Sequence, residues 1–157
     1  MIPISSLFEA HLAVSDLNQS TIFYRDRLGL ELAHSSSKPS AAFFWIGGRG
    51  DAMLGLWESG SMPLRMTNHV AFRVELEDLL EAPARLKSMG IIPRGFDGEP
   101  SEEAVVLAWM PAASVYFLDP DGNQLEFICM LPDAPQSELG VLSWSDWRNR
   151  KLEQAAP

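Results

Sequence analysis

The stretch Ser114–Ile128, S-V-Y-F-L-D-P-D-G-N-Q-L-E-F-I, constrains the fold more than any other part of the chain. Val115, Tyr116 and Phe117 favour a strand, and Leu125, Phe127 and Ile128 resume one. Between them, Asp119-Pro120-Asp121-Gly122-Asn123 carries turn chemistry, so the segment reads as a β-hairpin. Glu126 sits inside its apolar second strand. A carboxylate there points to water from a half-buried strand, or it is desolvated and has to meet a cation.

The remainder of the chain falls into two copies of one pattern. Phe8–Val14 reads as a strand, and Ser15-Asp16 can cap a helix with Leu17, Thr21, Tyr24 and Leu28 on one face. Gly29 is placed to end that helix. Leu30–Ala33, Ala41–Ile46 and Ala52–Trp57 read as strands, giving the order β-α-β-β-β. The order restarts at Asn68–Val74, continues into a helix marked by Leu79, Leu80, Leu86 and Met89, and ends at Gly90. Pro83 predicts a late start or a kink in that helix. Ile91–Arg94 and Val105–Trp109 are the next extended pieces, and the hairpin closes the set. Element order, more than identity of residues, carries this repeat. The expected fold is α+β: two β-α-β-β-β units, about 7–58 and 67–130, forming a single domain whose sheets pair around a half-open, barrel-like cavity. A tail over 131–157 follows, with a short apolar piece at Leu139–Leu142 and a basic terminal helix. Trp144 and Trp147 lie in it, and they pack either on a sheet or on a partner subunit.

Charge narrows the partners. The net charge is −9, and no Lys/Arg stripe is present to neutralise phosphates, which excludes nucleic acid and disfavours anionic membrane surfaces. No apolar run has the length of a membrane span. One cysteine, Cys129, lies in an apolar run as an inert core thiol; it suits a reducing, cytoplasmic setting. Small molecules and other copies of the chain remain.

His11 and His69 hold the same place near the start of each unit's first strand. With Glu126 on the last strand they form two imidazoles and a carboxylate, a set that binds a divalent metal and leaves positions open for substrate. His34 stands at a loop entrance and is read as structural. By strand parity Glu9 and Ala13 share a face with His11, and Ala71 and Arg73 share one with His69. An inward Arg73 needs an anionic partner, either on a substrate or in a salt bridge to Glu9 or Glu126. Trp45, Trp57 and Trp109 are candidate apolar walls.

The motifs F-E-A-H-L-A-V-S-D-L, F-Y-R-D-R-L-G-L, N-H-V-A-F-R-V and Y-F-L-D-P-D-G-N-Q-L-E-F resemble those of the vicinal oxygen chelate superfamily over about Leu7 to Met130. That superfamily includes glyoxalase I, fosfomycin-resistance enzymes, extradiol dioxygenases and bleomycin-resistance proteins. The resemblance implies His11, His69 and Glu126 as ligands of one divalent metal: Zn, Ni, Mn or Fe. Glyoxalase I adds a fourth ligand from the first unit. Aligning Gly50 with Gly122 sets Leu54 opposite Glu126, and Leu54 cannot bind metal. Glu58, the nearest carboxylate, falls past the cavity. Ser114 and Tyr116 before Glu126 resemble fosfomycin-resistance enzymes, but Val106, Met110 and Pro135 stand where those enzymes carry phosphonate-binding residues.

The resulting expectation is a metal-dependent, glyoxalase-like lyase or isomerase acting on a small substrate with adjacent chelating oxygens. Its alternatives are thiol or water transfer to an epoxide, an extradiol dioxygenase, and a metal-free binding protein of the bleomycin-resistance kind. No catalytic acid or base is singled out. The chain is expected to form a two-fold homodimer, with the tail at or behind the contact.

Overall fold

A computed structural model describes residues 6–38, 40–59 and 67–155. The chain divides into two compact units. The first comprises residues 1–68 together with the turn Asp119–Gly122, and the second comprises His69–Leu118 and 123–157.

In the first unit, strand β1 (Glu9–Val14) leads to helix α1 (Leu17–Ile22), then to β2 (Glu31–Ser37), β3 (Ser40–Ile46) and β4 (Ala52–Glu58). The sheet order is β1-β4-β3-β2, with β1 parallel to β4 and the other pairs antiparallel. Asp16 caps α1 by accepting from Gln19 N at 2.8 Å. On the expected helical face Tyr24 is buried and Leu17, Thr21 and Leu28 are half-buried, and Ser20 and Phe23, which the expectation left out, are buried with them. After Ile22 the backbone widens into a π-helical turn, Phe23–Arg27, which rotates Phe23 and Tyr24 inward with Ser20. The turn Asp119–Gly122 accounts for this. Asp119 Oδ2 accepts from Tyr24 Oη at 2.9 Å, and Asp121 accepts from Ser20 Oγ, Ser15 N and Ser15 Oγ. Two carboxylates with low exposure or tight geometry thus find four hydroxyl and amide donors along one helix start.

In the second unit, β5 (His69–Arg73) leads to α2 (Leu76–Ser88), β6 (Val105–Leu107), β7 (Ala112–Leu118) and β8 (Gln124–Met130). The sheet order is β5-β8-β7-β6-β9, with β5 parallel to β8. It is the first unit's order plus one edge strand. Both helices end alike: Gly29 and Gly90 adopt φ of +71° and +72°, and Leu30 N and Ile91 N reach back to Tyr24 O and Leu86 O. A left-handed residue there is cheapest as glycine. Pro83 causes no late start; α2 runs from Leu76 through it, with Pro83 on the buried side beside Leu79, Ala82 and Leu86. Ile91–Arg94 forms no strand of its own. Arg94 alone bridges, to Tyr116 and Pro100.

Each sheet buries one face. Leu12, Val14, Phe44, Leu54 and Leu56 form the core side of the first, where α1 packs on β3 and β4. Val115, Phe117 and Leu125 are buried in the second, where α2 packs on β7 and β8. Each such side chain contributes about 1.5–3 kcal/mol of transfer free energy. The opposite faces carry the polar residues considered below. Cys129, expected in the core, is only part-buried, at the far end of β8.

The tail joins the second unit. Strand β9 (Val141–Ser143) pairs with β6 and covers its edge. Helix α3 (Trp144–Ala155) starts with Ser143 Oγ accepting from Asp146 N at 3.1 Å. Trp147 is buried, and Lys151 meets Asp133 at 2.5 Å. Among the described residues no helix is long and apolar enough to cross a membrane.

Candidate metal and substrate site

Strand register sorts the candidate residues onto faces, because residues paired across a ladder point the same way. On the second sheet one row reads Ala71, Glu126, Tyr116 and Arg94, in that order across β5, β8, β7 and the Arg94 bridge. Flanking rows are His69–Gln124–Leu118 and Arg73–Ile128–Ser114–Val105. His69, Glu126, Tyr116 and Ser114 therefore share the face away from α2.

Glu126 is 4% exposed. Its Oε2 lies 2.9 Å from His69 Nε2, while Oε1 is buried with no hydrogen-bond partner among the described residues. Burying a carboxylate oxygen without a donor costs several kcal/mol, so a cation or donor belongs there. The Tyr116 phenol sits in the same row, its ring 6.2 Å from His69. Burial pushes its pKa up, and the neighbouring Glu126 charge pushes it further. It is therefore a protonated donor at any ordinary pH. Ser114 Oγ is also buried without a partner. Arg73 is exposed on β5, on the His69 side, and makes no ion pair with a described residue. Arg94 turns its guanidinium to Gly98 O at 2.5 Å. Beyond Tyr116, Phe96 stands edge-on at 6.2 Å and lines an open groove of 350 Å³ with Val105, Val141 and Ser143.

On the first sheet the equivalent face carries Glu9, His11 and Ala13 opposite Met53, Gly55 and Trp57. His11 lies across Gly55: a Cβ on that glycine would meet His11 Cδ2 at 2.6 Å and Phe43 Cε1 at 3.1 Å. Trp57 and Phe43 flank the imidazole at centroid distances of 5.5 and 6.0 Å. The His11 ring is thus seated in a slot between two aromatics that exists because residue 55 has no side chain. Glu9 Oε1 lies 3.1 Å from His11 Nε2. A bulge between Leu32 and His34 turns His34 onto this face as well, 6.3 Å from Phe43. Trp45 shares the face through its pairing with Met53.

Register corrects the expected position of the missing fourth ligand. Glu126 lies two residues beyond the partner of His69, and the residue two beyond the partner of His11 is Trp57. Leu54 is buried on the helix side instead. His11 pairs with Gly55, five residues past Gly50, whereas His69 pairs with Gln124, two past Gly122, so aligning the turn glycines is off by three residues and inverts the strand's faces. Glu58 is likewise on the other side, accepting from Leu17 N at 3.2 Å. Trp109 lies exposed in the β6–β7 turn, at the opposite end of β7 from Tyr116's side of the hairpin.

The structure therefore brings His69, Glu126, Tyr116 and Ser114 together in one unit, and His11, Trp57 and Trp45 in the other. Among the described residues, no three His, Cys, Asp or Glu side chains gather into a group that could hold a metal ion. Each unit offers one imidazole–carboxylate pair. The donor types in each pair, imidazole nitrogen and carboxylate oxygen, are ones a hard or borderline divalent ion takes. Sequence reading missed Phe43, Gly55 and Phe96. A glycine in the middle of A-M-L-G-L-W-E was the available signal for the close approach at Gly55.

Comparison with known proteins identifies the chain's relatives. The pattern of the Glyoxalase/Bleomycin resistance protein/Dioxygenase superfamily matches residues 6–127. The fosfomycin resistance protein FosX of Listeria monocytogenes is 31% identical over 128 residues, which cover 78% of this chain and 88% of that protein. A FosX crystal structure with Mn(II) and sulfate has a TM-score of 0.57 at 28% identity, covering 84% of this chain and 94% of that one. The integron cassette protein HFX_CASS4, from the mobile metagenome of the Halifax Harbour sewage outfall, reaches 0.70 at 32% identity, covering 81% and 100%. Lactoylglutathione lyase from Agrobacterium tumefaciens reaches 0.61 at 26% identity, covering 80% and 94%.

Two outcomes follow from the geometry. Gly55→Ala should evict the His11 ring from its slot, moving its NMR resonances and destabilising the fold by about 1–3 kcal/mol. Unmoved His11 resonances would contradict the slot. The second concerns the two tyrosines, both of whose pKa values are raised by burial first and by neighbouring carboxylates second. Tyrosinate absorbance at 295 nm should stay absent as pH passes 10 and emerge with unfolding. The folded state keeps protons that the unfolded state loses above pH about 10, so this contribution to stability is complete below that pH and is lost above it.

Proposed function

Because the chain belongs to the Glyoxalase/Bleomycin resistance protein/Dioxygenase superfamily, we propose that it is a divalent-metal-dependent enzyme of glyoxalase type. In this reading it is a lyase or isomerase whose small substrate offers the metal two adjacent oxygens. The observation that carries it is Glu126: a buried carboxylate with one oxygen on His69 and the other without a partner. His11, His69 and Glu126 are the residues that would hold the ion, and the assembly would be a homodimer. Mn(II) is the first metal to try, since FosX has been crystallised with it; Zn, Ni and Fe are the others.

The bound ion would supply Lewis acidity, polarising the substrate oxygens and stabilising negative charge that develops on them. The chain's own residues do the rest. Tyr116, held neutral beside Glu126, donates a hydrogen bond to a substrate oxygen, and Ser114 Oγ offers a second polar contact. Phe43, Trp57 and Trp45 exclude water from the His11 side. Arg73 is free to take an anionic group of the substrate.

A second reading has its own support. Ser114 and Tyr116 stand beside Glu126 as in the fosfomycin-resistance enzymes, and FosX is a 31% identical relative. Water addition to an epoxide would use the same metal and the same phenol. Against a phosphonate dianion, Val106 is buried in the core, Met110 lies in a turn, and Arg94 is bound to Gly98 O.

With Mn(II), Zn(II), Ni(II) or Fe(II) added, the protein should turn over the hemithioacetal of methylglyoxal and glutathione, or a related 2-hydroxy ketone, faster than fosfomycin. The reverse ranking would select the epoxide reading. Glu126→Gln should weaken metal binding by about tenfold or more with the fold intact; wild-type protein that binds no metal would leave a ligand-sequestering role. Sedimentation should give a two-fold homodimer at micromolar concentration, and a monomer would refute that assembly. A cytoplasmic protein suits the single cysteine.

A further inference from the structure

We propose that the groove at the outer edge of the second sheet binds a small organic cation, an ammonium group carried on an apolar body. The groove lies wholly within the second unit, and the proposal holds whether or not the protein binds a metal.

Two segments wall the groove. One is the loop that carries Phe96, Asp97 and Glu99; the other is strand β9, with Val141 and Ser143, and Val105 of β6 lines it too. Register sets Ser143, Val105 and Ser114 in one row, on the face that also carries Tyr116 and Glu126. The superfamily pattern ends at residue 127, so the β9 wall lies beyond it and membership of the superfamily does not account for the groove. The loop is held by its own backbone: Gly95 N donates to Glu99 O at 2.8 Å and Gly98 N to Gly95 O at 3.1 Å. The wall is therefore built before any ligand arrives, and a volume of 350 Å³ is in the range of small-molecule sites.

The loop holds negative charge that its neighbours do not offset. Glu102 pairs with Lys87, and Glu103 accepts from Ser145 N and Oγ at 2.9 and 2.8 Å. Asp97 Oδ1 accepts only the loop's own Glu99 N, at 3.0 Å, and neither Asp97 nor Glu99 has an ion pair among the described residues. Arg94 does not line the groove; its guanidinium is turned to Gly98 O. A cationic ligand would supply the missing charge, and the net charge of −9 favours the same sign.

The apolar part of the ligand has its own surface. Phe96 is 57% exposed although its ring stands against Tyr116, and Val141 is 39% exposed. An exposed aromatic beside two carboxylates suits an ammonium on an apolar body, since the carboxylates take the charge and the ring takes the rest. Ser114 Oγ adds an independent sign of a ligand. It is buried without a partner among the described residues, one strand in from Val105 on the same face. A polar atom of a ligand reaching past Val105 would meet it.

The experiment is an NMR titration of the isotope-labelled full chain, with a chelator present so that metal plays no part. Phenethylammonium, phenethyl alcohol and hydrocinnamate serve as cationic, neutral and anionic probes of similar shape. The expected result is saturable amide shifts over Gly95–Ser101 and Val141–Ser143 with the cation. It should bind about threefold or more tighter than the alcohol, with the carboxylate weakest. Asp97→Asn combined with Glu99→Gln should bring the cation down to the alcohol's affinity; Asn keeps the oxygen that accepts from Glu99 N, so the turn persists. Val141→Arg should abolish binding of the cation by setting a fixed positive charge in the groove. Equal affinity for cation and alcohol overturns the proposal, as does saturable binding that shifts other residues instead. Unchanged affinity in the double variant, or no saturable binding of any probe, overturns it as well.

Discussion

The pairing of His69 with the buried Glu126 is the contact around which the polar face of the second unit is arranged. A carboxylate at 4% exposure is tolerable only with compensation. One oxygen finds the imidazole, and the other has no hydrogen-bond partner among the described residues. The unit therefore carries an unsatisfied acceptor on a face otherwise open to ligand. Tyr116 is drawn into the same balance, since the charge beside it keeps its phenol protonated. A buried carboxylate of this kind costs folding free energy unless a cation or a donor meets its second oxygen.

Sheet parity distributes these roles. In both units apolar residues, Phe44 and Phe117 among them, go to the helix side, and polar ones, with Phe43, Trp45, Trp57 and Tyr116, go to the other, because successive strand residues alternate. The units are alike in topology but not in what they present. The second offers a carboxylate, a phenol and a hydroxyl. The first offers an imidazole seated over a glycine between Phe43 and Trp57, with Glu9 against it. Replacing Trp57 by a carboxylate would restore symmetry on paper, but it would remove one wall of the His11 slot.

The edges of the second sheet have been used differently from those of the first. Strand β9 lengthens the sheet at β6, and the loop that follows the Arg94 bridge brings Phe96 edge-on to Tyr116. The resulting groove has Val105 and Val141 among its walls and no basic residue. Its lining also includes Asp97 and Glu99, so the groove is acidic as well as apolar.

The sequence by itself determined the repeat, the fold class and the candidate metal residues. Alternation in F-E-A-H-L-A-V and N-H-V-A-F-R-V places each histidine on a strand face, the D-P-D-G turn forces the hairpin, and Gly29 and Gly90 end the helices. These are local signals, set by side-chain periodicity and backbone conformation, and no tertiary information is needed to read them. Which residues face one another was decided only by strand register. Leu54 was read as the counterpart of Glu126, and the register makes it Trp57, because one residue of offset inverts a strand. The π-helical turn that moves Tyr24 onto Asp119, the bulge that brings His34 beside Phe43, and the slot over Gly55 arise from contacts between segments far apart in sequence. Such contacts leave no periodic trace in the chain, so only the folded structure could reveal them.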